Sequence, residues 1–237
     1  MKTWQEDLLD LLHPTNSEAE VFRRVKAAAK SLGFDYCAYG MRLPLPLSSP
    51  KVVMLSNYPE GWQARYVAGK LFAIDPTVIH GLRSQEPVLW SESLFASAPA
   101  LWDEAQAFGL RVGWAQSSLG APGPRSMLTL GRSSMPISSS ELSANEMKMR
   151  WLLSVAHQSM ANILAPRHGW QLQSTLTARE VEVLKWTADG KTMTEISDIL
   201  KLSDNTVKFH IRNAVAKLQT TSKTAAVVRA AMLGWLD

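Results

Sequence analysis

The chain has 237 residues, with 25 Lys and Arg against 21 Asp and Glu and a formal net charge of +4. No apolar run approaches the length of a membrane helix and no signal peptide is evident, so we expect a soluble, cytoplasmic protein that does not enter a membrane. The single cysteine, Cys37, excludes an internal disulfide.

The first 165 residues alternate between helical and β-like patterns and are long enough to form one domain with its own core. The predicted helices are Trp4–Leu12, Ser17–Leu32, Gly61–Leu71, Ala100–Phe108 and Asn145–Leu164. The predicted strands are Phe34–Gly40, Val52–Ser56, Val112–Leu119 and Ser126–Gly131. This order fits a sheet with helices on both faces, so we expect an N-terminal α-β-α sandwich.

Aromatic side chains and one acid are concentrated in the patterns S-N-Y-P-x-x-W-x-x-x-Y, I-D-P and V-L-W. Trp62 and Tyr66 are four residues apart and share one helical face. Asp75 is costly to bury unless it accepts hydrogen bonds. A small amphiphile with one N–H donor, carbonyl acceptors and an alkyl tail would satisfy these groups. An aromatic core, with a surface Asp75 that marks a turn before Pro76, explains the same residues, and composition alone leaves both interpretations open.

The long helical pattern is followed by a proline, Pro166, which is expected to end it. We therefore predict three parts: a first domain at residues 1–165, a linker at 166–175 and a second domain at 176–237.

The second domain carries start signals for three short helices. Thr177 with Glu180, and Thr192 with Glu195, form capping boxes, and Ser203 is placed to cap the third helix. The apolar positions predicted for the first two helices are Val181, Leu184, Ala188, Ile196, Ile199 and Leu200. Two short helices, a tight turn and a third helix are the layout of a helix-turn-helix DNA-binding domain, which is all-α.

The third helix has an apolar face and a basic outer face. Its predicted core positions are Val207, Ile211, Ala214 and Leu218. Its predicted outward positions are Asn205, Lys208, Phe209 and Arg212. Lys and Arg recur from residue 205 to residue 236 without any acidic residue, so this stripe can neutralise DNA phosphates. A solvated face on a small helical bundle is the alternative, and the capping pattern favours DNA binding.

Catalytic and metal-binding motifs are missing from the sequence. The five histidines are scattered without metal-ligand spacing. No G-x-S-x-G, P-loop or G-x-G-x-x-G pattern occurs. We therefore expect no enzyme activity, no catalytic residue, no cofactor and no metal.

The C-terminal motifs L-T-x-R-E-x-E-V-L, G-K-T, T-V-K-F-H-I and A-x-x-K-L resemble the DNA-binding domain of the LuxR-type transcription regulators. The resemblance implies a four-helix domain whose fourth helix, near Lys223 to Gly234, pairs two copies. The seam that it implies for this pairing consists of Ala225, Val228, Ala231 and Met232. The DNA-binding residues that it implies are Thr206 near the backbone and Lys208, Phe209 and Arg212 at base edges.

The N-terminal patterns resemble the N-acyl-homoserine-lactone receptors of the same family. By this resemblance Trp62 donates to the lactone carbonyl, Asp75 accepts the ligand amide N–H and Tyr58 donates to the acyl carbonyl. Tyr66 and Trp90 would pack on the acyl chain and lactone ring. Two further residues, Ser56 and Thr129, would lie near the acyl carbonyl, and Trp102 and Gly113 also resemble family positions.

The run from Arg42 to Lys51, together with S-N-Y-P, is most similar to an orphan receptor of the family, which implies tolerance for long acyl chains and no synthase partner. The expected protein is a quorum-sensing transcription factor that binds the lactone and then, as a homodimer, an inverted repeat in double-stranded promoter DNA, with RNA polymerase as a candidate partner. A ligand sink or heterodimer-forming antagonist of related receptors is the alternative.

Two more distant functions fit the sequence poorly. A phosphorylation-gated regulator needs acidic residues clustered after a strand, whereas Asp7 and Asp10 lie on a predicted helix. A lactone-degrading enzyme needs a histidine cluster or a nucleophile elbow, and the sequence has neither.

Overall fold

The computed structural model describes residue 12 and residues 17–118, 123–167 and 175–236. The chain divides into two compact units, the first built from residues 1–43, 50–119 and 124–165, and the second from 44–49, 120–123 and 166–237. Most of the predicted helix Trp4–Leu12 and most of the predicted linker lie outside the described residues.

The first unit contains helices on both sides of a sheet. Its helices are α1 (Glu18–Ser31), α2 (Glu60–Ala68), α3 (Pro76–Gly81), α4 (Pro99–Ala107) and α5 (Ser139–Arg167), with short 3-10 turns at Leu71–Ala73 and Leu94–Ser97. Its strands are β1 (Tyr36–Arg42), β2 (Val52–Ser56), β3 (Val88–Leu89), β4 (Val112–Ser118) and β5 (Arg125–Arg132). The strand order is β2-β1-β5-β4-β3, and every neighbouring pair is antiparallel.

The alternation of side chains sorts this sheet into two different faces. On one face Tyr39 and Met41 of β1, with Leu128, Leu130 and Trp114, are buried in a hydrophobic core to which α1 and α5 contribute. On the other face a second, aromatic core gathers residues of α2, α4 and the turn between β3 and α4. The predicted α-β-α sandwich is confirmed.

The long helices and strands lie where the sequence pattern predicts them. The shortest helices and strands have no recognisable sequence pattern. Ser17 caps α1 by accepting a hydrogen bond from the Glu20 amide at 3.2 Å, and Gly33, with φ +87°, follows the end of that helix. The six-residue α3 and the two-residue β3 were not predicted, because neither is long enough to show a period.

The expected end of the long helix before Pro166 is wrong. Helix α5 begins six residues earlier than predicted, at Ser139, and continues through Pro166 to Arg167. A proline removes one hydrogen-bond donor, and in the last turn of a 29-residue helix that loss leaves the preceding turns intact.

The second unit consists of α6 (Ala178–Ala188), α7 (Met193–Leu200), α8 (Asp204–Lys217) and α9 (Lys223–Met232). Both predicted capping boxes are confirmed, and Ser203 caps α8. Two of the predicted core positions are wrong, because Ala188 and Ile199 are exposed. Val183 and Glu180 are buried in α6 instead. Val183 packs against Ile196 and Val207, and Glu180 accepts a hydrogen bond from Lys217.

Glu180 links two helices of this unit from a buried position. Its side chain is 3% exposed and accepts hydrogen bonds from the Thr177 amide at 2.7 Å and from Lys217 Nζ at 2.8 Å. Burial raises the pKa of Glu180, but the Lys217 ammonium and the Thr177 donors outweigh it and hold that pKa below its ordinary value of 4.5. The carboxylate therefore caps α6 and connects it to the end of α8.

We expect Glu180→Gln to destabilise the second unit by about 1–3 kcal/mol, because it leaves the Lys217 ammonium without its charged partner. Hydrogen exchange of the α6 and α8 amides measures the loss locally. Since the folded-state pKa is lowered, this contribution is present above about pH 4.5 and is lost as the pH falls through the folded pKa.

Glu182→Gln is the matched control. Glu182 pairs with Arg179 at 2.6 Å on an exposed part of the same helix, where the cost is less than about 1 kcal/mol. Equal losses in the two variants would contradict a special role for Glu180.

Candidate functional site

A cavity of ≈ 450 Å³ lies in the first unit on the aromatic side of the sheet. That volume falls within the range of small-molecule binding sites, about 300–1,000 Å³. The structure brings all seven residues of the predicted ligand site to its wall: Ser56, Tyr58, Trp62, Tyr66, Asp75, Trp90 and Thr129. These side chains come from α2, the N-cap of α3, the strands β2 and β5 and the segments that follow β2 and β3, so residues far apart in sequence share one space.

Asp75 is held in place by three hydrogen bonds. Its Oδ1 accepts from the amide and the hydroxyl of Thr77, at 2.8 and 2.6 Å, and its Oδ2 accepts from the Tyr66 hydroxyl at 2.8 Å. Asp75 is thereby the N-cap of α3, with Pro76 in the first helical position. The Asp-Pro pair does mark a turn, and the same carboxylate lies on the cavity wall.

Within the described part of the chain, neither the indole N–H of Trp62 nor the hydroxyl of Tyr58 donates a hydrogen bond, and both residues line the cavity. The buried indole N–H of Trp90, on the same cavity's wall, also has no partner among the described residues. Burial, together with Cys37 and Asp75, raises the pKa of Tyr58 well above its ordinary value, so its hydroxyl stays protonated. Burial and the Asp75 carboxylate likewise raise the pKa of Tyr66. The polar end thus offers two free donors beside one carboxylate.

The aromatic wall is packed around Trp90. Its ring lies edge-on to Phe95 and Trp102, with centroids 6.4 and 6.3 Å away. A Cβ added to Gly113 would overlap the Trp90 indole. Because Gly113 has no side chain, the Trp90 ring can pack directly against β4.

The sheet side of the cavity carries small and hydroxyl-bearing residues in one row. Ser56, Ala38 and Thr129 are direct neighbours across β2, β1 and β5, and all three line the cavity. The next row on the same face has Gly40 between Met54 and Met127. A Cβ added to Gly40 would meet no heavy atom within 4 Å, so the cavity is open above this residue.

Sequence analysis missed several residues of this site. Thr77 and Gly40 were not proposed, although D-P-T is a pattern in which a carboxylate caps the following turn. Phe95 stacks on Trp102 at 4.6 Å in the aromatic wall and had no distinguishing spacing.

The outer face of α8 presents three of its four predicted DNA-binding residues to solvent. Lys208, Phe209 and Arg212 are exposed, and Phe209 keeps 50% of its surface accessible. Thr206 is half-buried, and its hydroxyl lies 2.9 Å from that of Ser203 at the helix start. A large exposed ring between two cations is suited to contact with base edges and methyl groups.

Helix α9 buries one side in its own unit and leaves the other accessible. Ala226 and Ala230 are fully buried against α6 and α8. The predicted seam residues lie elsewhere on the helix: Ala231 is exposed, and Ala225, Val228 and Met232 are half-buried.

Among the described residues, no helix combines the length and the apolarity that a membrane crossing requires. Nor do His, Cys, Asp and Glu side chains in that part of the chain gather in groups that could hold a metal ion.

Comparison with known proteins gives two family matches. The family described as "Autoinducer binding domain" matches residues 17–160, and "Bacterial regulatory proteins, luxR family" matches residues 174–230. The chain is 44% identical over 238 residues to the transcriptional activator AnoR of Acinetobacter nosocomialis, covering 100% of both chains. It is 37% identical to the quorum-sensing regulator RhlR of Pseudomonas aeruginosa, with 98% of this chain and 95% of the relative covered.

Solved structures agree with these matches. The crystal structure of Escherichia coli SdiA is similar with a TM-score of 0.80 and 33% identity, over 99% of this chain and 98% of that one. A structure of SdiA in complex with octanoyl-rac-glycerol has the same TM-score and identity, over 100% of this chain and 98% of the other. The relatives named here are described as transcriptional regulators.

We expect Gly113→Ala to destabilise the first unit by about 1–3 kcal/mol, because the new methyl group must displace the Trp90 ring. Gly40→Ala is the matched control on the same face of the sheet. It meets open space and should be neutral or slightly stabilising, since alanine loses less entropy than glycine in a strand. Urea unfolding of both variants measures the difference, and equal stabilities would contradict this packing.

Proposed function

We propose that this chain, which belongs to the LuxR family of autoinducer-binding transcriptional regulators, binds an N-acyl-homoserine lactone in its cavity and then binds promoter DNA as a dimer. The observation that carries the proposal is the polar end of the cavity. Two donors without partners, on Trp62 and Tyr58, lie on the same wall as the Asp75 carboxylate, and the rest of the cavity is mostly apolar.

The lactone headgroup supplies the complementary groups. In this proposal the Trp62 N–H donates to the lactone carbonyl, the Tyr58 hydroxyl donates to the acyl carbonyl and Asp75 accepts the amide N–H. Asp75 is already oriented by Thr77 and Tyr66, so its accepting geometry exists before the ligand arrives. The remaining contacts come from the hydroxyls of Ser56 and Thr129 near the acyl carbonyl and from the rings of Tyr66 and Trp90.

Ligand binding would increase the free energy of unfolding of the protein. A ligand that binds only the folded state adds RT ln(1 + [L]/Kd), about 2.7 kcal/mol at a hundredfold excess over Kd. That amount is a large share of the total stability of a small domain, so the lactone would raise the concentration of folded protein available for DNA.

The DNA side of the proposal rests on the exposed face of α8. Lys208, Phe209 and Arg212 would face base edges, with Thr206 near the backbone. The accessible side of α9, including Ala231, would pair two copies so that their recognition helices lie about 34 Å apart on an inverted repeat. The exposed side chains of α8 favour this function over that of a ligand sink or heterodimer-forming antagonist, which needs no such face.

Further parts of the proposal rest on the family resemblance. They are a ligand-binding domain at 1–165, a linker at 166–175 and a DNA-binding domain at 176–237, a cytoplasmic location, and RNA polymerase as a candidate partner. The proposed resemblance of residues 42–51 to the orphan receptor QscR would imply tolerance for long acyl chains and the lack of a dedicated synthase.

We expect Trp62→Phe and Tyr58→Phe each to weaken lactone binding roughly tenfold, because each removes one donor and leaves a ligand carbonyl unsatisfied while keeping the ring. Thermal shift of the purified protein with lactones from hexanoyl to hexadecanoyl is the measurement. Asp75→Ala is less informative, since it also removes the cap of α3.

Trp151→Phe is the control for these variants, because Trp151 lies on α5 and is 42% exposed. It should bind the lactones like the unmodified protein. The ligand proposal fails if no lactone of the series stabilises the unmodified protein.

For DNA binding, we expect Arg212→Ala to lose about 1–3 kcal/mol of operator affinity if its guanidinium contacts a base. Fluorescence anisotropy with an inverted-repeat duplex measures it, with Arg83→Ala, an exposed arginine of the first unit, as the control. Unchanged affinity of the Arg212 variant would remove this residue from the recognition face.

A further inference from the structure

Two arginines face each other at the end of the cavity that lies away from Asp75. Arg42, the last residue of β1, is paired directly with Arg125, the first residue of β5. Directly paired residues of antiparallel strands project to the same face, and both arginines line the cavity. Both side chains therefore project from the same face at the far end of the cavity, where Arg42 is half-buried and Arg125 is exposed.

The strand pairing places two like charges opposite each other. Like charges opposite each other on neighbouring strands destabilise a sheet. Within the described residues neither guanidinium forms a salt bridge, and the contact found for them is a long one, from Arg125 Nη1 to the Leu82 carbonyl oxygen at 3.4 Å.

The distance between the two ends of the cavity sets the length of a ligand that reaches both. The row of Ser56 and Thr129 is aligned with Ala38, and the arginine row is four residues further along β1, about 13 Å away at about 3.3 Å per residue. The open space above Gly40 lies midway between these rows. With C–C bonds of about 1.5 Å, an extended acyl chain of roughly ten carbons spans it.

We propose that Arg42 and Arg125 form a second polar subsite, which binds the terminal carboxylate of a long-chain, ω-carboxylated acyl-homoserine lactone. A carboxylate has the oxygens to accept from both guanidinium groups, and it neutralises the like-charge pair. The subsite rests on the proposed lactone function, because the headgroup end fixes the ligand's direction. In this proposal the far end of the cavity selects ligands by the length of the acyl chain and by the chemistry of its terminal group.

The test compares two ligands of equal carbon number, dodecanoyl-homoserine lactone and its ω-carboxy derivative, by calorimetry on the full chain. The ω-carboxy ligand should bind at least as tightly as the methyl-terminated one. Arg42→Gln and Arg125→Gln should each weaken it roughly tenfold, as expected for one charge-assisted hydrogen bond, and should change binding of the methyl-terminated ligand by less than about twofold. Added salt should weaken only the ω-carboxy ligand.

Arg111→Gln is the matched control, since Arg111 is an exposed arginine just before β4 that does not line the cavity. The inference is overturned, with the lactone function intact, if dodecanoyl-homoserine lactone binds and the ω-carboxy ligand is rejected. It is also overturned if the two arginine variants affect both ligands equally. If neither ligand binds at all, the lactone function itself fails.

Discussion

The whole first unit depends on the unequal distribution of side-chain volume between the two faces of its sheet. Large residues such as Tyr39, Leu130 and Trp114 are packed on one face into a continuous core. On the other face the strands carry small residues: Ala38, Gly40, Gly113, Ala115 and Gly131. Because strand neighbours alternate between faces, one set of strands provides both the buried area that stabilises the fold and the room in which a ligand and Trp90 lie.

Asp75 shows that one carboxylate can cap a helix and line a cavity at the same time. The carboxylate that caps α3 and accepts from Tyr66 also borders the cavity. A cap orients its carboxylate without help from the ligand, whereas a carboxylate held only by the ligand would lose rotamer freedom on binding. The donors on Trp62 and Tyr58 are fixed in a similar way, by burial of their rings. A ligand that completes these hydrogen bonds adds stability to elements that already exist.

The structural features that could be predicted are those whose sequence signals lie within a few residues of one another. The helices of the second unit have caps within four residues, and the sequence therefore located them well. Which side of α6 is buried depends on α8 and α9, so Ala188 was misplaced and Glu180 was not expected to be buried. The space above Gly40 and the pairing of Arg42 with Arg125 depend on register between distant strands, which a single sequence does not specify.

Fewer of the basic residues between positions 205 and 236 lie on the exposed face of α8 than their spacing in the sequence suggests. Lys217 belongs to it by position, but its ammonium is directed at the buried Glu180 carboxylate. On the exposed face of α8, the positive charge comes from Lys208 and Arg212. Each contact to a DNA phosphate contributes separately to affinity. A face with only two cations is therefore expected to bind DNA weakly at physiological salt when a single unit acts alone. In the proposed dimer, two units would double those contacts and add the spacing between half-sites, so promoter recognition would depend on the pairing of two copies rather than on α8 alone.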